Sequence, residues 1–191
     1  MAIPICPTDC TSQIPEVNFS DCSPETNAAQ IVNIYVTNVG HPFDPNGATP
    51  TDWTVAADWY ARIDNTNSAP DAIRKFHVIG SKPVAEKQEK EISHNRTVTG
   101  PKKHSIQFKV DETNNVNYDM LRSLECGGSF LIWYETSGGK MYGGNEGIKA
   151  SMMLDQSIPE SLQDLEVFEG VAKWTSKFHP ERINSPIAVA Y

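Results

Sequence analysis

At 191 residues, 39% of them hydrophobic, the chain can bury one sizeable core and is too short to require two domains. No apolar run approaches the roughly 20 residues that span a bilayer, and the opening MAIPICPTDC lacks the basic start and apolar stretch of a secretory signal. The net charge of -8 is uneven: three basic groups face nine acidic ones up to residue 81, seven face three over residues 82–110, and six face twelve beyond. An acidic body disfavours duplex binding, because that affinity comes largely from Lys and Arg neutralising phosphates.

In chain order, residues 1–30 are rich in Pro, Ser, Thr, Asn and Asp and read as an extended N-terminal arm, with too few apolar side chains to fold alone. Ile31 to Thr37 (IVNIYVT) is the first core strand. Gly40 to Pro50, with its His-Pro, Asp-Pro-Asn-Gly and Thr-Pro steps, is a surface loop. Thr51 or Asp52 then caps a short helix in which Trp53, Ala56, Ala57, Tyr60 and Ile63 fall at helical spacing, with a strand over 54–63 as the competing reading. Trp59 and Tyr60 read as core aromatics, with a ligand platform as the sharper alternative. Ile73 to Ile79 is a second strand.

Lys82 to Lys103 stands apart in charge. Val84 to Ile92 can form a helix, but a solvated arm or hairpin with a charged edge fits better. Its cations Lys87, Lys90, Arg96, Lys102 and Lys103 are the candidate subunit-interface residues. A nucleic-acid patch is the alternative, weakened by Glu86, Glu89 and Glu91 between them and by the lack of an aromatic residue to stack on a base.

In His104 to Val110, Ile106, Phe108 and Val110 alternate with Gln107 and Lys109, which predicts an antiparallel strand with one wet face. Asn117 is read as the N-cap of a helix with Tyr118, Leu121 and Leu124 on one face, stopped by Gly127-Gly128. Ser129 to Glu135 (SFLIWYE) is nearly continuous apolar, a strand buried on both faces or lying beneath that helix. Ser137 to Lys140 turns it back, and Ile148 to Leu154 is its partner. The last long strand, Leu165 to Phe178, changes phase near Gly170, which predicts a β-bulge. Residues 179–191 read as an irregular, Pro-rich C-terminal tail.

No stretch carries a catalytic signature. The five histidines show no HExxH spacing, the glycines of 143–147 precede a strand rather than the helix of a P-loop, and GxSxG and C-x-x-C are absent. Cys6, Cys10 and Cys22 do not make the paired spacing of a zinc site and read as thiols or one disulfide; Cys126 reads as a small buried residue. The expectation is a non-enzyme with no cofactor and no metal.

The run KKHSIQFKVDETNNVNYDMLRSLECGGSFLIWYETSGGKMYGGNEGIKAS, followed by LEVFEGVAKWTSKFHPERINSPI, resembles the tail-tube-like structural proteins of tailed bacteriophages, with the crAss-like phages as the nearest group. The similarity covers roughly residues 82–187 and lies in the pattern of strand, helix, hairpin and long last strand after a charged arm. It implies a mainly β fold with one or two short helices, an antiparallel β-sandwich over residues 31–178 whose arms reach neighbouring subunits. It also implies a homo-oligomeric ring of the tail tube or head-to-tail connector, made in the host cytoplasm and placed in the virion. That ring would contact other tail or portal proteins while DNA passes without specific binding. The competing reading is a capsid decoration or host-adhesion module, with an exposed patch around Trp53, Trp59 and Tyr60.

Overall fold

The computed structural model describes residues 28–63, 69–93, 96–160 and 165–187. Most of the expected N-terminal arm, including Cys6, Cys10 and Cys22, lies outside the described residues. The elements run β1 (Ile31–Asn38), α1 (Ala56–Arg62), β2 (Arg74–Ser81), β3 (Glu89–Ser93), β4 (Arg96–Thr99), β5 (Lys102–Val110) and α2 (Asn115–Ser123). They continue with β6 (Gly128–Thr136), β7 (Lys140–Tyr142), β8 (Ile148–Ser157), β9 (Val167–Ser176) and β10 (Arg182–Asn184).

The expected mainly β, antiparallel fold is present. Six strands follow the order β1-β2-β5-β9-β8-β6, and β6 pairs back onto β1 over Ile31 to Asn38. That last pairing closes the sheet, so the architecture is a six-stranded barrel with extra strands rather than a clear two-layer sandwich. Closure follows from β1 being apolar and unobstructed on both edges: it takes β2 on one side and β6 on the other.

Period-two alternation sorts the wall. His104, Ile106, Phe108 and Val110 of β5 are buried, as are Ile148, Ala150, Met152 and Leu154 of β8, while Lys149, Ser151, Met153 and Asp155 face out. A barrel of this size is filled by its own side chains, so its interior is a core and not a channel. α2 places Leu121 and Leu124 in that same core and sets Tyr118 against Phe168, covering the end where β5 finishes.

A second core lies outside the barrel wall. The outward residues Tyr35 of β1 and Leu131 and Trp133 of β6 are buried beneath Phe43, Trp53, Trp59 and Ile73, with Met141 and Ile187 alongside. β6 is therefore buried on both faces, as its apolar run requires, but its outer cover is α1 with residues 40–55, not α2. The loop from Gly40 has become a packed layer because it carries Phe43 and Trp53.

Arg62 pins this layer. It is buried and donates through Nε to the Asp71 carbonyl (2.9 Å), through Nη1 to Pro42 O (3.2 Å) and through Nη2 to His41 O, with its guanidinium over the Phe43 ring. Burial lowers its pKa and the Asp71 charge acts the other way. A planar fork serves three carbonyls where an ammonium cannot. Arg62→Lys is expected to lower unfolding free energy by about 2 kcal/mol, from lost donors to buried carbonyls; urea denaturation with an unchanged m-value checks this.

Several expectations are corrected. α1 starts at Ala56 behind Val55, without a side-chain cap; Asp52 instead accepts from the Thr54 amide and hydroxyl, and its own amide donates to Asp58. Asn114, not Asn117, caps α2, accepting the Asn117 amide at 3.0 Å. No bulge occurs at Gly170: its pairing with Phe108 and Leu154 is continuous, and Phe168, Gly170, Ala172 and Trp174 keep one phase. Gly170 is small because the Phe108 ring occupies the space a Cβ would need, 2.4 Å away. Cys126 is exposed, since Leu121 and Leu124 already fill the buried side of that turn. The tail is part of the fold: β10 pairs with β7, and Ile187 is buried.

Candidate functional site

The charged segment leaves the barrel at the end opposite α2. β3 and β4 form a two-stranded hairpin that pairs with none of the barrel strands, from Glu89↔Thr99 to Ser93↔Arg96. Over 84–92, where a helix is the alternative to the favoured arm or hairpin, the structure shows an isolated bridge at Glu86 and then strand. The root of the hairpin is clamped to the rim, where Glu86 and Lys103 exchange backbone hydrogen bonds of 2.9 Å. Gly100 N donates to Gln88 O across the base. The alternating Thr-Val-Thr and Glu-Lys-Glu runs suit a solvated ribbon.

The five candidate cations divide between two places. Lys87 is exposed just before β3, and Lys90 and Arg96 are on the two hairpin strands. Lys102 and Lys103 open β5 on the barrel itself, paired in register with Ser176 and Thr175. Lys102 is half-buried and Lys103 exposed.

Lys102 joins a cluster that sequence reasoning missed. His104 is 2% exposed and stacks on Trp174, centroids 5.2 Å apart and planes within 7°. The His179 ring meets His104 edge-on at 5.5 Å. The Ser176 backbone approaches the His104 ring as an acceptor, while among the described residues Trp174 Nε1 has no hydrogen-bond partner. Burial is the main cause that lowers the His104 pKa, followed by the Lys82 charge, with His179 and Lys102 acting the same way and the Ser176 backbone opposing. His179 is lowered by burial, then by Lys82 and Lys102, and burial lowers Lys82. The signal was present in the sequence: the alternation that sends Ile106, Phe108 and Val110 inward also sends His104 inward.

Beside this cluster, a cavity of about 320 Å³ opens at the barrel mouth, lined by Ile31, Lys82, Tyr134, Tyr142, His179 and Pro180 among others. Tyr134 and Tyr142 stack at 4.7 Å, and burial raises the Tyr134 pKa.

A second polar cluster is structural. Glu135 is fully buried on the outer face of β6, where its Oε2 accepts from Asn33 Nδ2 (2.7 Å) and from the Tyr35 hydroxyl (2.9 Å). Burial and the Glu135 carboxyl hold the Tyr35 phenol protonated by raising its pKa. The aromatic platform is not available: Trp53 and Trp59 are core, and of that trio only Tyr60 is exposed.

Among the described residues, no helix is long and apolar enough to cross a membrane. In comparisons with protein families, curated proteins and solved structures, nothing matches this chain.

Proposed function

We propose that the protein is a non-enzymatic virion structural subunit that assembles into a ring of a phage tail tube or head-to-tail connector. The observation that carries this reading is the β3–β4 hairpin, which leaves the barrel and pairs only with itself. A lone two-stranded ribbon is marginally stable in water, so a neighbouring copy that takes it up supplies the missing contacts. The outer wall of β2, β5, β9 and β8 supports the same reading. Among the described residues it has no covering layer, and it presents Ile79 and Met153, each more than half exposed, around a shallow groove crossed by the Lys109–Glu169 ion pair. The opposite wall is already buried. A hairpin reaching from one copy to the bare wall of the next is a heterologous contact, and such contacts close into rings. Because the barrel is filled, the DNA channel of such a ring lies between copies, and the acidic balance lets DNA pass without sticking. The tail-tube-like sandwich and the virion location belong to this proposal.

Native mass spectrometry and negative-stain electron microscopy of the purified protein test it. Rings or stacked rings are expected, and replacement of residues 88–100 by a short Gly-Ser turn should leave the barrel folded and abolish them. A protein monomeric at every concentration and absent from virions overturns the reading. Reversing charge at Lys102 and Lys103 to Glu should raise the concentration needed for assembly about tenfold, with a far smaller change in melting temperature. Unchanged ring yield would count against a basic contact at this rim.

A further inference from the structure

The mouth of the barrel has a composition that the ring reading does not use. Lys82 follows β2, Lys102 and His104 lie on β5, and His179 follows β9, so three separate chain segments bring two ammoniums and two imidazoles to one place. No carboxylate is among the residues lining the adjoining cavity. Of the acidic residues near this region, Glu86 is exposed and its backbone meets that of Lys103, and the Glu181 carboxylate approaches Gly144. In a chain of net charge -8, a cavity lined by Lys82 and His179, with Lys102 nearby and no carboxylate among its described lining residues, is the reverse of what random placement supplies. Behind the cavity, His104 is buried with the Ser176 backbone beside its ring, and it stacks on Trp174, whose Nε1 has no hydrogen-bond partner among the described residues. Buried polar atoms without partners are uncommon, and each one calls for a physical reason.

We infer that the open end of the barrel binds a small dianionic oxyanion of the sulfate or phosphate type, held by Lys82, Lys102 and His179 with His104 behind them. The donors are of the right kind: ammonium and imidazolium groups form charge-assisted hydrogen bonds to such oxygens. The place is right as well, because a concave site with low-dielectric walls focuses the field of its charges. The cavity exceeds the size of a bare oxyanion, and Tyr134, Tyr142 and Ile31 form its less polar side. The site lies within a single copy of the chain, so it exists whether or not rings form.

Proton linkage gives the site a signature. The groups acting on His104 are Lys102 from its own strand, Lys82 from the end of β2 and His179 from the segment after β9, all of which disfavour its protonation, while the Ser176 backbone of β9 favours it. An anion among them reverses the balance. Binding therefore takes up protons, and affinity rises as pH falls through the range in which the two rings titrate.

The test is a titration of the full chain with sodium sulfate, which stays dianionic throughout, read by the imidazole carbon-bound proton resonances in NMR. His41 and His77 serve as internal controls, and sodium chloride at matched ionic strength is the salt control. Expected are saturable shifts at His104 and His179, an upward move of their titration midpoints, and tighter binding at about pH 5.5 than at about pH 7.5. Inorganic phosphate should compete with sulfate, and acetate, with a single charge, should bind more weakly. Lys82→Gln, a half-exposed position whose loss leaves the fold intact, should weaken sulfate binding about tenfold, as expected for one charge-assisted hydrogen bond. Shifts that grow linearly with salt, that chloride reproduces, or that survive Lys82→Gln unchanged overturn the inference.

Discussion

Gly143→Ala is expected to lower the unfolding free energy by about 3 kcal/mol or more, the sum of backbone strain and overpacking. Gly143 sits at φ +153°, and a Cβ there would lie 2.1 Å from Trp133 Cδ1. Trp133 cannot yield. It is fully buried, its Nε1 donates to the Gly144 carbonyl at 2.7 Å, and its ring is held edge-on against Phe43 and Trp59, at 5.4 and 5.5 Å. Gly139→Ala is the uncrowded comparison, because that residue is at φ +69°, a left-handed conformation less costly for alanine than φ +153°, with nothing within 4 Å of the added carbon. It should show a conformational cost alone, about 1 kcal/mol. Urea unfolding followed by Trp fluorescence measures both, and equal midpoints for the two variants would show that the Trp133 contact is not limiting.

Trp59→Ala should have an effect of similar size, about 3–5 kcal/mol, as for other buried tryptophans truncated in a core. Trp59 is the hub of the outer layer: its ring touches Tyr35 (5.1 Å), Phe43 (4.8 Å) and Trp133 (5.5 Å), and its Nε1 donates to Trp53 O at 2.6 Å. The barrel interior is a separate core, so the loss should be local. Hydrogen exchange should accelerate across described residues 40–63 and 69–73 while the amides of β5, β8 and β9 stay protected. Trp59→Phe retains most of the packing but strands the Trp53 carbonyl, and should fall between wild type and the alanine variant. Uniform acceleration over all strands would mean that layer and barrel unfold as one unit.

The strands were legible in the sequence wherever one face is wet. IQFKV and IKASMML alternate, and both appear within two or three residues of the expected limits, as β5 and β8. What alternation cannot show is which strands meet. Closure of β1 on β6 joins residues about a hundred positions apart, and nothing local distinguishes a sheet that closes from two sheets that face each other. Composition misled in two places. Pro-rich stretches read as loop and tail became layers because single aromatic or branched side chains within them, Phe43 and Ile187, reach an apolar surface that the strand pattern does not show. The phase change near Gly170 came from taking Leu165 and Val167 as core residues; Leu165 is exposed ahead of β9, and Val167 is only half-buried at its first position. At the candidate site, charge marked out residues 82–103 but not their division into hairpin and rim. His104 and Lys82 were passed over because each, taken alone in sequence, is an unremarked strand-end residue.

Barrel closure also fixes the order in which the molecule can form. β1 needs β6 to satisfy its second edge, and the rest of the wall from β6 round to β2 is made by β8, β9 and β5. During synthesis β1 and β2 therefore emerge as a pair with open edges and must wait for β9, whose last residue is Ser176, before the wall is complete. Pairings so distant in sequence place the chain among slow folders, in the millisecond-to-second range typical of non-local β topologies. The apolar surface of β1 is exposed to other nascent chains throughout that interval, so the yield of soluble protein should depend on expression rate and temperature more than on the stability of the finished barrel.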